Sequence, residues 1–364
     1  MFNVQKFYDK NVMDSKNYFS FTNQFEDDYI SERLKEYASW LSCKHSYKYV
    51  EDVLFRHTGE QVLSDQKIQE IVLDTAKKIS IEDEQQTEKI LSEQEMIKLN
   101  FSPDIYDSQS NEIYFFNDGI LVKGQKHRRV SKNNKQVSTQ GRKARLETEV
   151  SLLETQNGEY RYITGGLDAS DNPMQSLINQ SKKEIISEYG GVDKTYTIIS
   201  ITDGARKIKR DMKIIFGDNL VRILDWYHLK EKLKDLMSMI ALNKSEKKKH
   251  LDYMRKKCWE GEVSKAIKYL KTKVTAKNQA KYKELIGYLT KHEIEIINYK
   301  KRKEAGKTIG SGRMESGVDQ VVGRRQKDNG TSWSKKGSKA LAILKVKLLN
   351  NEWDKIWTFN KKRA

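Results

Sequence analysis

With two cysteines and two prolines in 364 residues, this chain has little covalent or steric stapling. Cys43 and Cys258 lack the paired spacing of a zinc site or a disulfide framework, so a reducing, cytoplasmic compartment is expected. Scarce proline beside 33% charged residues predicts many long, solvated helices. No run of about 18 apolar residues occurs, which removes the signal for a membrane-spanning helix. The opening Met-Phe-Asn-Val-Gln-Lys has no segment resembling a signal peptide, so no membrane partner is expected. What is present is apolar enough to build cores: 37% hydrophobic residues, among them 18 Tyr, 11 Phe and 6 Trp, exclude a disordered chain.

Charge is the next asymmetry. The formal net charge is +17, yet the first 100 residues carry 13 Lys and Arg against 19 Asp and Glu. The remaining 264 carry 55 against 32. A basic body of that kind attracts polyanions by counterion release, and nucleic acid is the commonest such partner. A merely soluble or ribosome-associated basic protein would share the feature.

Patterning divides the chain into four parts. Residues 1–107 read as a helical N-terminal region. Apolar positions from Tyr47 to Phe55 recur at helical spacing, Thr58-Gly59-Glu60 breaks the pattern, and Ser64 caps a second helix carrying Ile68, Ile71, Val72 and Ala76 on one face. Helix, short turn and helix fit a helix-turn-helix reader or an ordinary packed pair used for dimerisation. Residues 108–228 switch to strands: 112–117, which ends at Asp118-Gly119 with Ile120-Leu121-Val122 continuing the apolar run, then 146–155, 159–167, 196–201 and 221–224, with helices over 173–188 and 205–214. Residues 229–305 read as an all-helical, Lys- and Glu-rich insertion. Residues 306–364 open with a Gly-rich turn and continue as basic helix. The fold class expected is α/β: a mixed sheet with flanking helices, an all-α insertion and a helical N-terminal region.

Three carboxylates stand out by position. Asp118 and Asp203 each follow an apolar strand in an Asp-Gly pair, a place that puts a side chain in the crevice at a sheet edge. Glu315 opens a helix after Ile309-Gly310-Ser311-Gly312-Arg313-Met314. Taken singly, each has a plainer reading as a turn residue or a helix N-terminal acid. Together they form a hard-oxygen donor set suited to Mg²⁺. Two such ions could support in-line phosphoryl displacement. Asp168, after a strand, and Asp319, one turn beyond Glu315, are rivals read more simply as turn and surface acids. Asp225 and His228 could line the same crevice.

The blocks Asn117-Asp118-Gly119, Thr202-Asp203-Gly204-Ala205 and Gly310-Ser311-Gly312-Arg313-Met314-Glu315-Ser316 resemble the three signatures of DDE insertion-sequence transposases related to the Mutator-like group. Val321-Val322-Gly323-Arg324-Arg325-Gln326-Lys327, Gly330-Thr331-Ser332-Trp333-Ser334 and Asp225-Trp226-Tyr227-His228 extend the likeness, which spans about residues 45–356. The resemblance implies an RNase H-like catalytic core interrupted by a helical insertion. It also implies two Mg²⁺ ions, with Mn²⁺ as a substitute: Asp118 between both, Asp203 and Glu315 holding one each. His228 would be a further catalytic residue. The implied partner is double-stranded DNA, both transposon ends and target, and the protein would act as a homodimer or higher oligomer in that complex, nucleoid-associated when bound. The short, acidic N-terminus departs from relatives with a longer one and leaves site recognition open.

The stretch 123–145 holds nine Lys and Arg without one acid, including Lys126, Arg128, Arg129, Arg142, Lys143 and Arg145. Such a run is a DNA-contact candidate, although charge runs are commonly just solvated. Arg313, Arg324, Arg325 and Lys327 near Glu315 extend the candidate surface. Trp333 could stack on an unpaired base or simply pack before a helix start. The resulting expectation is a transposase that cuts phosphodiester bonds and transfers the freed 3′-hydroxyl to target DNA. A domesticated, idle DNA-binding protein and an RNase H-like nuclease that never joins strands are the alternatives.

Overall fold

The computed structural model describes residues 6–9, 14–17, 29–125, 145–167, 173–217, 219–327 and 331–357. The chain forms two compact units.

The first unit gathers residues 1–81, 122–146 and 324–364. It begins with an antiparallel pair, β1 (Lys6–Asp9) and β2 (Asp14–Asn17), where the sequence predicts only helix. Strands of four residues are too short to leave a readable alternation. Helices α1 (Glu32–Ser42) and α2 (Tyr47–Thr58) follow, capped by the hydroxyls of Ser31 and Ser46. Gly59 ends α2 in the left-handed conformation, φ 76°. α3 (Asp65–Glu93) starts at Ser64, whose Oγ accepts from the Lys67 amide at 3.2 Å. Ile68 and Ile71 from α3 close a core with Ala38, Leu41, Val50, Leu54 and Leu63.

The second unit gathers residues 82–121 and 147–323, and it contains the body of a five-stranded mixed sheet. Its strands are β3 (Glu112–Lys123), β4 (Arg145–Glu154), β5 (Tyr160–Ile163), β6 (Thr197–Thr202) and β7 (Leu220–Leu224), in the order β5-β4-β3-β6-β7. β4 and β5 are antiparallel, joined through Gln156-Asn157-Gly158. β6 runs parallel to both β3 and β7. The parallel pairs need crossovers, and α4 (Pro173–Tyr189) and α5 (Arg206–Phe216) supply them. Leu177, Ile178, Ile185 and Tyr189 of α4 and Met212, Ile215 and Phe216 of α5 bury against Ile113, Phe115, Leu153, Ile163 and Ile198 of the sheet. The continuous apolar run of β6 is explained by this position, with neighbours on both edges and all but its last residue buried.

After β7 the chain leaves the sheet for α6 (Trp226–Ile240), α7 (Lys244–Trp259), α8 (Val263–Lys273), α9 (Gln279–Lys291) and α10 (Tyr299–Glu304). α11 (Gly312–Val318) then carries Glu315, and a π-helical turn at Asp319–Gly323 leads to α12 (Arg324–Gln326). α13 (Lys335–Leu349) and α14 (Trp353–Ile356) end the described chain. Among the described residues, no helix is long and apolar enough to cross a membrane.

Candidate functional site

Asp118 lies inside β3, since the strand continues through Gly119-Ile120-Leu121-Val122 to Lys123. The sequence reading, which ends the strand at Asp-Gly, is corrected here. Gly119 has no positive φ and turns nothing. Its missing side chain serves a close approach instead, because a Cβ there would collide with the Glu147 carboxylate of β4. Asp203 does sit at a strand end, one residue past β6. Gly204 after it takes φ +83°, which lets the backbone leave the sheet. The Asp203 Oδ1 accepts from the Ala205 amide at 2.8 Å and so holds the turn into α5.

Glu315 reaches the site on α11. Gly317, two residues on, packs so tightly on Leu152 of β4 that a Cβ would lie 2.7 Å from its Cδ2. Met314 and Val318 are buried, while Glu315 itself is exposed. The start of α11 is clamped by Asp225, which is 4% exposed. One carboxylate oxygen accepts from the His228 amide at 2.8 Å, and the other accepts from the Ser311 hydroxyl at 2.7 Å and from the Ser311 amide. Asp225 thus spends both oxygens joining the end of β7 to the Glu315 helix. Sequence reasoning put Asp225 in the crevice without seeing this tie, which depends on a contact across 86 residues. His228 stands exposed in the first turn of α6.

Asp118 feels the charge of the other carboxylates. Asp118 is half-buried, and desolvation pushes its carboxyl above the usual range. The negative charges of Asp203, Glu147 and Glu315 push it the same way, against one favourable bond from the Gly119 amide at 2.7 Å. Asp203 and Glu315, 85 and 197 residues away in sequence, thus lie near enough for Asp118 to feel their charge, as does Glu147. Glu147 was missed because its neighbourhood depends on which strands are adjacent. Its one sequence signal is a place near the start of the second predicted strand. Among the described residues, no three His, Cys, Asp or Glu side chains are grouped so that they could hold a metal ion. The donor chemistry nevertheless fits Mg²⁺: hard oxygens only, with repulsion that a cation would relieve. The Asp319 carboxylate lies against Gly323 of the π turn.

The basic candidates divide. Lys126, Arg128, Arg129, Arg142 and Lys143 lie outside the described residues, as does Asp168. Arg145, Arg324 and Lys327 in the first unit are exposed. In the second unit Arg313 is also exposed, over the Tyr160 ring at 5.4 Å. Arg325 and Trp333 are corrected: they are 4% and 7% exposed and belong to the core of the first unit. The Arg325 guanidinium lies 4.8 Å from the Trp333 ring and 5.7 Å from Tyr47, and its Nε donates to the Ser42 carbonyl. The Trp333 indole N–H donates to the Gln326 carbonyl at 3.0 Å. Its backbone pairs with Lys123 and Gln125 and holds the root of the basic stretch. Neither side chain is available to DNA. A run of cations in sequence does not distinguish a surface arginine from one stacked between aromatic rings.

No protein-family model matches the chain, and searches among curated proteins and among solved structures each returned no match.

Proposed function

We propose that this chain is the transposase of a bacterial insertion sequence, acting by metal-dependent phosphodiester cleavage and strand transfer. One observation carries the reading: Asp118 on the central strand feels the charges of Asp203, at the end of the adjacent parallel strand, and of Glu315, on a helix packed against β4. The mixed sheet in the order β5-β4-β3-β6-β7 is compatible with the RNase H-like core that the sequence resemblance implies.

Asp118, Asp203 and Glu315 are the residues that would hold two Mg²⁺ ions, which when bound supply Lewis-acid activation of water and neutralise charge on the scissile phosphate. The chain's own part is positioning. The Ala205 amide fixes one oxygen of Asp203. Asp225 and Ser311 fix the register of the Glu315 helix. Arg313, two residues before Glu315 and exposed, is suited to a DNA phosphate. The partners proposed are double-stranded transposon ends and target DNA, and bridging two ends calls for a dimer or higher oligomer.

Cleavage of labelled DNA carrying the gene's flanking ends, with Mg²⁺ or Mn²⁺, tests the reading. Wild type is compared with Asp118→Asn, Asp203→Asn and Glu315→Gln. The expected result is 3′-end cutting followed by joining, both lost in every variant. Cutting without joined products would make the protein a nuclease. Tight binding without cutting would make it a domesticated DNA-binding protein.

A further inference from the structure

The sequence resemblance assigns no role to the end of the helical insertion, yet its last turn lies directly behind the second carboxylate. His292, which caps the C-terminus of α9, is 1% exposed. Its Nδ1 is 2.6 Å from the Glu295 carboxylate. Glu295 is buried as well and is anchored twice to β7: its other carboxylate oxygen pairs with Arg222 at 3.2 Å, and its backbone carbonyl accepts from the Leu224 amide at 2.9 Å. The opposite edge of the imidazole faces Gly204. A Cβ there would stand 2.6 Å from His292 Cε1 and 3.0 Å from Nε2. Lys291 completes the contact, its Nζ donating to the Gly204 carbonyl at 3.3 Å.

The Tyr288 ring lies one turn back, against His292 at 4.8 Å between centroids. Its hydroxyl is buried and has no hydrogen-bond partner. A buried polar atom left unpaired in a packed wall is uncommon and often marks a place where a water, ion or ligand completes the site. Burial pushes the Tyr288 phenol upward, and the charges of Asp203 and Asp225 act in the same direction.

We propose that His292, oriented by Glu295 and backed by Tyr288, is a positioning residue that holds the Asp203-Gly204 turn in the conformation the divalent cation requires. The proposal rests on the metal-dependent reading above. Residues that orient a ligating carboxylate without touching the ion commonly change metal affinity by about 10–100-fold when replaced. The insertion then has a task at the site besides any contact with DNA. It braces the Asp203 turn, which the sheet alone leaves exposed at a strand end.

The test is Mn²⁺ binding to the full-length protein by calorimetry, beside the Mn²⁺ dependence of DNA cleavage. His292→Asn retains a donor toward Glu295 but loses the contact with Gly204, and His292→Ala loses both. Both variants are expected to weaken Mn²⁺ binding by about tenfold or more. The cation concentration for half-maximal cleavage should shift by the same factor. Tyr288→Phe keeps the ring and should shift it less. Leu270→Ala, at a buried site of α8 away from the turn, should lower the melting temperature while leaving the Mn²⁺ midpoint in place. If folded His292→Asn binds Mn²⁺ as wild type does, the positioning role is overturned and the metal-dependent reading survives. If wild type binds no Mn²⁺ and Asp118→Asn behaves identically, the metal-dependent reading itself fails. Should both His292 variants prove unfolded, Glu295→Gln in folded form gives the same decision, with an unchanged midpoint counting against the proposal.

Discussion

Asp118 is destabilised first by its burial and then by the charges of its neighbours. It is half-buried, accepts one short backbone hydrogen bond and faces three other acids. Its folded-state pKa lies above the unfolded value, so the fold binds the proton more tightly than the open chain does. The associated stability is complete below the unfolded pKa and is lost as pH rises through the raised one. Asp118→Asn should therefore melt higher than wild type in metal-free buffer at pH 7, by roughly 1–3 °C. The gap should close toward pH 4. Thermal melts across that range with a chelator check this, and parallel curves for the two proteins would refute it. Stability gained where activity is lost is the ordinary relation at a site built from like charges.

Among the elements, α10 and β3 are locked by a buried ion cluster. Arg302 is fully buried, donates to both Glu112 oxygens at 3.1 and 2.7 Å and also binds the Ile105 and Thr308 carbonyls. Lys307 adds a second cation at 2.7 Å from Glu112. Burial alone would raise the Glu112 carboxyl, but the bonds and charge of Arg302 outweigh it and hold the carboxyl below its ordinary range. Its contribution is present above the unfolded pKa and is lost as pH falls through the folded one. The cluster sets the path of residues 305–311 into the Glu315 helix, so it serves the site by fixing one approach to it. Arg302→Met should destabilise by about 3–5 kcal/mol, because Glu112 keeps its charge and loses its main partner. Adding Glu112→Leu should recover much of that, since an apolar pair needs no compensation. Urea denaturation of the two variants measures both. A single variant as stable as wild type would show the cluster to be incidental.

At the scale of the whole molecule, charge is the ruling property. The acidic first 100 residues and the strongly basic remainder give a chain whose affinity for duplex DNA should depend steeply on salt. If about 6–10 phosphates are contacted, affinity should fall by roughly 10³–10⁵ between 50 and 200 mM salt. Fluorescence anisotropy on a duplex reads this directly. A nearly flat response would mean that the excess cations are internal to the protein or simply solvated. The fates of Arg325 and Arg302 show that some of them are internal, and neither belongs in a count of phosphate contacts. Arg145, Arg313, Arg324 and Lys327 remain exposed.

Periodicity and turn chemistry, which are local, were enough to read much of this protein. The strand at Thr197–Thr202, the helix pair with its Gly59 and Ser64 boundaries, and the helical insertion from residue 229 follow from apolar spacing and capping residues. The choice of Asp118, Asp203 and Glu315 followed from motif context. Tertiary structure decided what depends on distant chain segments meeting. Only the strand order brings Glu147 beside Asp118, and only the return of the chain to β7 turns Asp225 into a clamp on Ser311. Packing alone buries Arg325 and Trp333 and sets His292 against Gly204. The physical reason is the range of the forces involved. Helix and turn preferences act over a few residues, whereas burial and electrostatic coupling depend on distances that sequence separation does not encode.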